Sequence, residues 1–123
     1  MYTLDTNAII YYLKDDPSAV TILRDIFKQA APLYISAITE VELFSFPKLS
    51  LRESHQIEEI IETMAVIPVD SRIARTAAFI RRTHHLKIAD SVIAATTLFT
   101  GTTLVTRNTP DFQNVPNILL RKV

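Results

Sequence analysis

Apolar residues along the 123-residue chain alternate between two patterns. Short runs at Tyr2-Thr3-Leu4, Leu33-Tyr34-Ile35, Val66-Ile67-Pro68-Val69, Thr102 to Thr106 and Ile118-Leu119-Leu120 show no polar alternation. Runs of that length and texture are strands buried on both faces of a parallel sheet. Between them the apolar positions recur at helical spacing. Thr6 to about Lys14 is predicted as the first helix. Asp16-Pro17 opens a second as cap and first residue, with a stripe of Val20, Leu23, Ile26 and Phe27. Ser36 caps a third over Ala37 to Phe46, stopped before Pro47. Ser50 with Glu53 makes a capping-box pattern for a fourth, running to about Thr63. Asp70 or Ser71 opens a fifth to about His84, with Ile73, Ala77 and Ile80 as its inner stripe. A sixth, Ile88 to Thr100, is apolar nearly all round, as a buried helix should be, and stops at Gly101. Arg107 to Pro116 reads as a loop. Strands alternating with helices predict an α/β fold with a parallel sheet.

Length and composition narrow the possibilities. At this length residues 1–123 form one domain that can bury a core without staples. Cysteine is absent, which removes disulfides, thiolate zinc sites and a cysteine nucleophile. The formal charge of +0 removes a general basic coat, so binding to a polyanion must use a local patch. A single glycine, Gly101, excludes the glycine-rich loops that cradle phosphates or dinucleotides. No apolar run reaches the ~18 residues of a membrane-spanning helix. The start, with Asp5 and Asn7, is too polar for a secretory signal, so a cytoplasmic protein is expected.

Among thirteen acids, a few stand where surface charge is not favoured. Asp5 falls where the first strand hands over to the first helix, the ligand end of an open α/β sheet. It serves equally well there as a helix N-cap. Glu40 and Glu42 follow the second strand on the third helix. Two residues apart, they point about 200° away from each other, so only one can face a site, and helical geometry alone leaves the choice open. Asp90 is the only charge in the sixth helix. The helix dipole favours an acid in its first turn by ~0.3–1 kcal/mol, yet a buried helix is a poor place for an unpaired carboxylate. Asp111 follows the fourth strand and also suits an ordinary loop.

Taken together, these acids can gather at the carboxyl edge of one sheet. Gathered carboxylates raise one another's pKa, and a divalent cation removes that penalty. Oxygen donors without thiolates or paired histidines suit Mg²⁺ or Mn²⁺. Such an ion activates water for in-line attack on phosphorus. His84-His85 and His55 do not have metal-ligand spacing. Arg72, Arg75, Arg81, Arg82 and Lys87 make the fifth helix and its exit basic, just before Asp90. That is an ordinary solvated face, or a hold for a phosphate backbone beside the acids.

In order and spacing, four segments resemble the PIN domains, and among them the VapC-type toxin ribonucleases. They are Leu4-Asp5-Thr6-Asn7, Ile35-Ser36-Ala37-Ile38-Thr39 with Glu42-Leu43, Ala89-Asp90-Ser91-Val92-Ile93-Ala94-Ala95-Thr96, and Val105-Thr106-Arg107-Asn108 with Asp111-Phe112. The resemblance implies a three-layer α/β/α sandwich with a five-stranded parallel sheet in the order 3-2-1-4-5. It implies metal-dependent endonucleolytic cleavage of RNA, with Asp5, Glu42 and Asp90 on the family's acidic triad. Asp5 and Asp90 would bind the metal. The fourth acid of the family has a variable position; position 108 is Asn here and the acid comes at Asp111. Thr6, Asn7, Thr106 and Asn108 would hold the acids or water, and Arg75, Arg82 and Lys87 would bind RNA. Family resemblance further implies a homodimer and a small VapB-type antitoxin that inserts a segment toward the active site. Two alternatives compete with this reading. A receiver-like phosphoacceptor domain would use Asp70 but needs a second acid beside Asp5, where Thr6 stands. A catalytically inactive PIN-like module is opposed by the presence of Asp5, Glu42 and Asp90.

Overall fold

The structure, a computed structural model, describes residues 1–123. Its elements in chain order are β1 (Tyr2–Leu4), α1 (Thr6–Leu13), α2 (Pro17–Lys28), β2 (Leu33–Ser36), α3 (Ala37–Phe44) and α4 (Leu51–Ile61). They continue with β3 (Ala65–Ile67), α5 (Ser71–His84), α6 (Ile88–Thr100), β4 (Thr103–Thr106), α7 (Thr109–Phe112) and β5 (Leu119–Lys122). The five strands form one sheet in the order β3-β2-β1-β4-β5, every neighbouring pair parallel. Fold class and strand order are those the sequence implied.

Alternation along the strands sorts the core into two. Leu4, Ile35 and Val105 face a cluster with Ala8 and Ile9 of α1, Leu23 and Ile26 of α2, and Ile57 and Ile60 of α4. Leu104, next to Val105, faces the opposite cluster with Ile73, Ala77 and Ile80 of α5 and Ile93 to Ala95 of α6. This is the period of two expected of a strand. Helix α3 touches both α1 and α6 and so bridges the layers at the carboxyl edge.

The helix starts follow the sequence signals. Asp5, Asp16 and Asp70 each accept a backbone N–H one turn on, and Ser50 with Glu53 forms a full capping box. Gly101 closes α6 in the left-handed conformation, at φ 62°. Asp15, His85 and Asn117 adopt similar positive φ values without being glycine.

Three expectations need correction. The segment after β4 is not a plain loop: Thr109–Phe112 is one helical turn with Pro110 near its start. Its purpose in packing is Phe112, fully buried against Leu104 and the α5–α6 layer. One turn is too short for periodicity to reveal. The outer strands are not buried on both faces; β3 and β5 are half-exposed edges. Several ends also shift, with α3 stopping at Phe44 and β5 beginning at Leu119, because side-chain patterns fix a face more tightly than an end.

Phe112→Ala should destabilise the protein by about 3–5 kcal/mol, the usual cost of emptying a fully buried aromatic site. Denaturant unfolding checks it. A loss below about 1 kcal/mol would show that α7 is not part of the core.

Candidate active site

The strand order places the topological switch at β1 and β4. From β1 the chain winds outward to β2 and β3, then returns to β4 on the other side. Loops leaving the two strands part there and leave a crevice at their carboxyl ends. Asp5 is the first residue beyond β1, and its N–H donates to the Val105 carbonyl of β4 at 3.2 Å. Its side chain is therefore set into the crevice floor, with only 4% of the residue exposed.

Two groups satisfy and steer that carboxylate. The Ala8 N–H donates to Oδ1 at 2.7 Å, the helix-cap role expected of it. The Thr106 hydroxyl lies beside it and also favours its charged form. These do not win. Burial, then the nearby charges of Asp90 and Glu42, push the Asp5 pKa up to about 6. Asp5 thus caps α1 and is also the buried acid at the crevice floor.

Asp90 lies in the first turn of α6 and is half-buried. Its pKa is also raised, first by burial, then by Glu42 and Asp111, with Lys87 acting in the opposite direction. On α3, Glu42 is the glutamate turned inward. Its Oε1 accepts the Thr6 hydroxyl at 2.6 Å, and that hydroxyl also meets Thr39 at 3.1 Å. Glu40 has no such tie, so the structure separates the two acids that helical geometry could not. Asp111 stands at the exposed rim. Asn108 Nδ2 donates to its Oδ2 at 2.6 Å, while the Asn108 N–H donates to Thr106 Oγ1 at 3.0 Å. Asp5, Glu42, Asp90 and Asp111 therefore form one electrostatic chain along the crevice. Arg75 and Arg82 are exposed on α5, away from its buried face, and Lys87 is exposed just before α6. Asp70 caps α5 and lies 3.8 Å from Arg72 on the surface, outside this group.

Sequence reading missed Arg107. Its Nη2 donates to Asp16 Oδ2 at 2.6 Å, its Nε donates to the Val123 carbonyl at 2.9 Å, and its guanidinium lies 4.0 Å from the Tyr11 ring centre. Arg107 holds the Asp16 carboxyl below its ordinary pKa range. With Asp5, Asn7, Tyr11 and Asn108 it lines an open cavity of about 280 Å³ beside the acids. Nothing local announces this, since Asp16 is 91 residues away and served the sequence reading only as a cap.

The sequence reading expects a divalent ion at these acids. No trio of acidic or histidine side chains is already drawn into a three-ligand cage. Magnesium does not need one, because it binds through one or two carboxylates and keeps several waters. Asp5 and Asp90, two oxygen donors each made harder to ionise by burial and by its acidic neighbours, fit such an ion.

The model of the PIN domain family matches residues 2–118. The chain belongs to the PIN domain family. Solved structures similar to this PIN domain include a toxin–antitoxin complex from Klebsiella pneumoniae, at 26% identity and TM-score 0.82, covering 97% of this chain and 96% of that one. DNA-bound VapBC from Salmonella typhimurium is similar at 26% identity and TM-score 0.82, covering 98% and 96%. FitAcB from Neisseria gonorrhoeae is similar at 28% identity and TM-score 0.74, with the same coverage. No curated protein matches the sequence. No helix of the PIN domain is long and apolar enough to cross a membrane.

The raised Asp5 pKa has a thermodynamic consequence. Between the ordinary value of 3.8 and about 6, the folded state binds more protons than the unfolded chain. Stability in metal-free buffer therefore falls as pH rises through that window. At about 1.4 kcal/mol per pH unit the Asp5 contribution is at most about 3 kcal/mol. Asp5→Asn should match the parent near pH 4 and exceed its stability at pH 7.5 by up to that amount. Urea midpoints at the two pH values test it, and equal parent–variant differences at both would contradict it.

Proposed function

We propose that this PIN domain is a Mg²⁺- or Mn²⁺-dependent endoribonuclease, the toxin of a type II toxin–antitoxin pair. One observation carries the reading: Asp5 is buried at the switch point, near enough to Asp90 and Glu42 for their charges to raise its pKa, with no cation of the protein's own paired to it. Such an arrangement disfavours its own ionised form and suits a site completed by a metal and a phosphodiester.

Asp5 and Asp90 would hold the ion. When bound, it supplies positive charge at the reacting phosphorus and makes water nucleophilic at neutral pH. The residues of the chain do the positioning. Thr6 fixes one oxygen of Glu42, leaving the other free to orient the attacking water and to accept its proton. Asp111, held by Asn108, completes the acidic rim. Thr106 steadies both Asp5 and the Asn108 backbone. Hydrolysis would break the P–O bond to the leaving nucleoside, and Arg75, Arg82 and Lys87 would hold the flanking phosphates. The printed descriptions of the similar structures name toxin–antitoxin and VapBC complexes, which supports a VapB-type antitoxin as partner. A homodimer acting in the cytoplasm completes the proposal. The phosphoacceptor alternative gains nothing from Asp70, which is a surface cap apart from the other acids.

Purified protein should cleave single-stranded RNA with Mg²⁺, lose cleavage with a chelator and regain it when Mg²⁺ is restored. Asp5→Asn should abolish cleavage while keeping the folded circular dichroism spectrum. Glu42→Gln should lower kcat by about 10²–10⁴-fold, the range for a lost general base. Undiminished cleavage by Asp5→Asn would refute the assignment.

A further inference from the structure

The charge of this neutral protein is strongly segregated. From Ser71 to Ala89 the chain carries Arg72, Arg75, Arg81, Arg82 and Lys87 and no acid, so the remaining residues have a net charge of −5. Arg75, Arg81, Arg82 and Lys87 form no ion pair, and Arg72 has only the 3.8 Å approach to Asp70. Arg75, Arg81 and Arg82 are exposed to solvent, while Lys87 lies near enough to Asp90 for its charge to be felt there.

Two large aromatics stand among them. Phe79 on α5 is 56% exposed and Phe99 near the end of α6 is 50% exposed. The Arg82 guanidinium lies 5.6 Å from the Phe79 ring centre and that of Arg72 lies 4.7 Å from Phe99. Positions 72, 75, 79 and 82 repeat at helical spacing, so they share one face of α5. Beneath the Arg72–Phe99 pair, Arg75, Thr76 and Leu98 line a shallow cavity of about 500 Å³. A single exposed phenylalanine is ordinary. Two on a face of arginines flanked by a single acid, Asp70, have the composition of a surface for unpaired nucleic acid, where bases stack on rings and cations track phosphates.

Resting on the ribonuclease reading, we propose that the outer face of α5 and the end of α6 form a second contact surface for single-stranded RNA. Phe79 and Phe99 stack bases there, and Arg72 with its neighbours carries the backbone away from the acids. Phe99 lies nine residues along α6 from Asp90, roughly 14 Å at the rise of a helix. A strand anchored at Phe99 therefore has to run past Arg82 and Lys87 to reach the cleavage site. Duplex RNA offers no free base faces to stack, so the surface selects an unpaired segment beside the scissile bond. Charge decides for RNA over a second copy of the chain, because a two-fold partner would bring the same cations against these.

The test uses the non-cleaving Asp5→Asn protein and a labelled oligouridylate long enough to reach from the acids to Phe99. Fluorescence anisotropy should show that adding Phe79→Ser and Phe99→Ser raises Kd by at least about thirtyfold, given two stacks lost at ~1–3 kcal/mol per base. The variant should leave the affinity for a duplex of equal length unchanged. Arg72→Gln should lower the dependence of log K on log salt by about 0.7, the increment for one phosphate on a single strand. Equal Kd for the single strand with and without the serines would overturn the surface while leaving the ribonuclease reading intact. No binding of either RNA by Asp5→Asn, with no cleavage by the parent, would overturn both. A change from dimer to monomer on introducing the serines, measured by light scattering, would overturn it in favour of a protein interface.

Discussion

Burial of carboxylates that also repel one another governs the carboxyl edge of this sheet. Asp5 is fixed by its place between β1 and α1, Asp90 by the start of a buried helix, and Glu42 by the Thr6 hydroxyl. Asp5 cannot swing to water without giving up its cap of α1, whereas Glu42 and Asp90 are half-buried. The resulting penalty on ionisation is concentrated in the crevice, where a proton relieves it, as would the divalent ion of the proposed function. Elsewhere the interior is polar only where it is satisfied. Thr3, Thr100 and Thr102 bond one another, and no buried side-chain oxygen or nitrogen lacks a partner.

Topology does more for the site than any one residue. The order 3-2-1-4-5 makes β1 central and β4 its neighbour across the switch, so residues 5 and 106 become adjacent although about a hundred positions separate them in the chain. Bridging the two helical layers, α3 adds Glu42 from a third direction. Arg107 then ties the end of β4 to the start of α2 through Asp16 and braces Tyr11 of α1. The crevice is thus walled by segments from both ends of the chain.

Much of this was legible in the residues. Short strands without polar alternation, helix stripes and caps each leave a local mark, and the acids stood out because they broke those marks: a lone charge in an apolar helix, a carboxylate at a strand end. Glu42 could not be told from Glu40 by helical geometry, because the deciding contact is with Thr6, thirty-six residues earlier. Arg107, Tyr11 and Asp16 were hidden for the same reason, each having an ordinary local explanation. The single-turn helix at Thr109–Phe112 escaped because four residues are too few to show a period.

Gly101 is the only glycine, and it lies at the amino end of β4, away from the acids. Asp15, His85 and Asn117 make their left-handed turns with side chains in place. Segments built this way have little backbone freedom to lose on ordering. No glycine lies in the segments that wall the acidic cleft, so under the proposed function an RNA strand meets a cleft whose backbone brings little conformational freedom of its own.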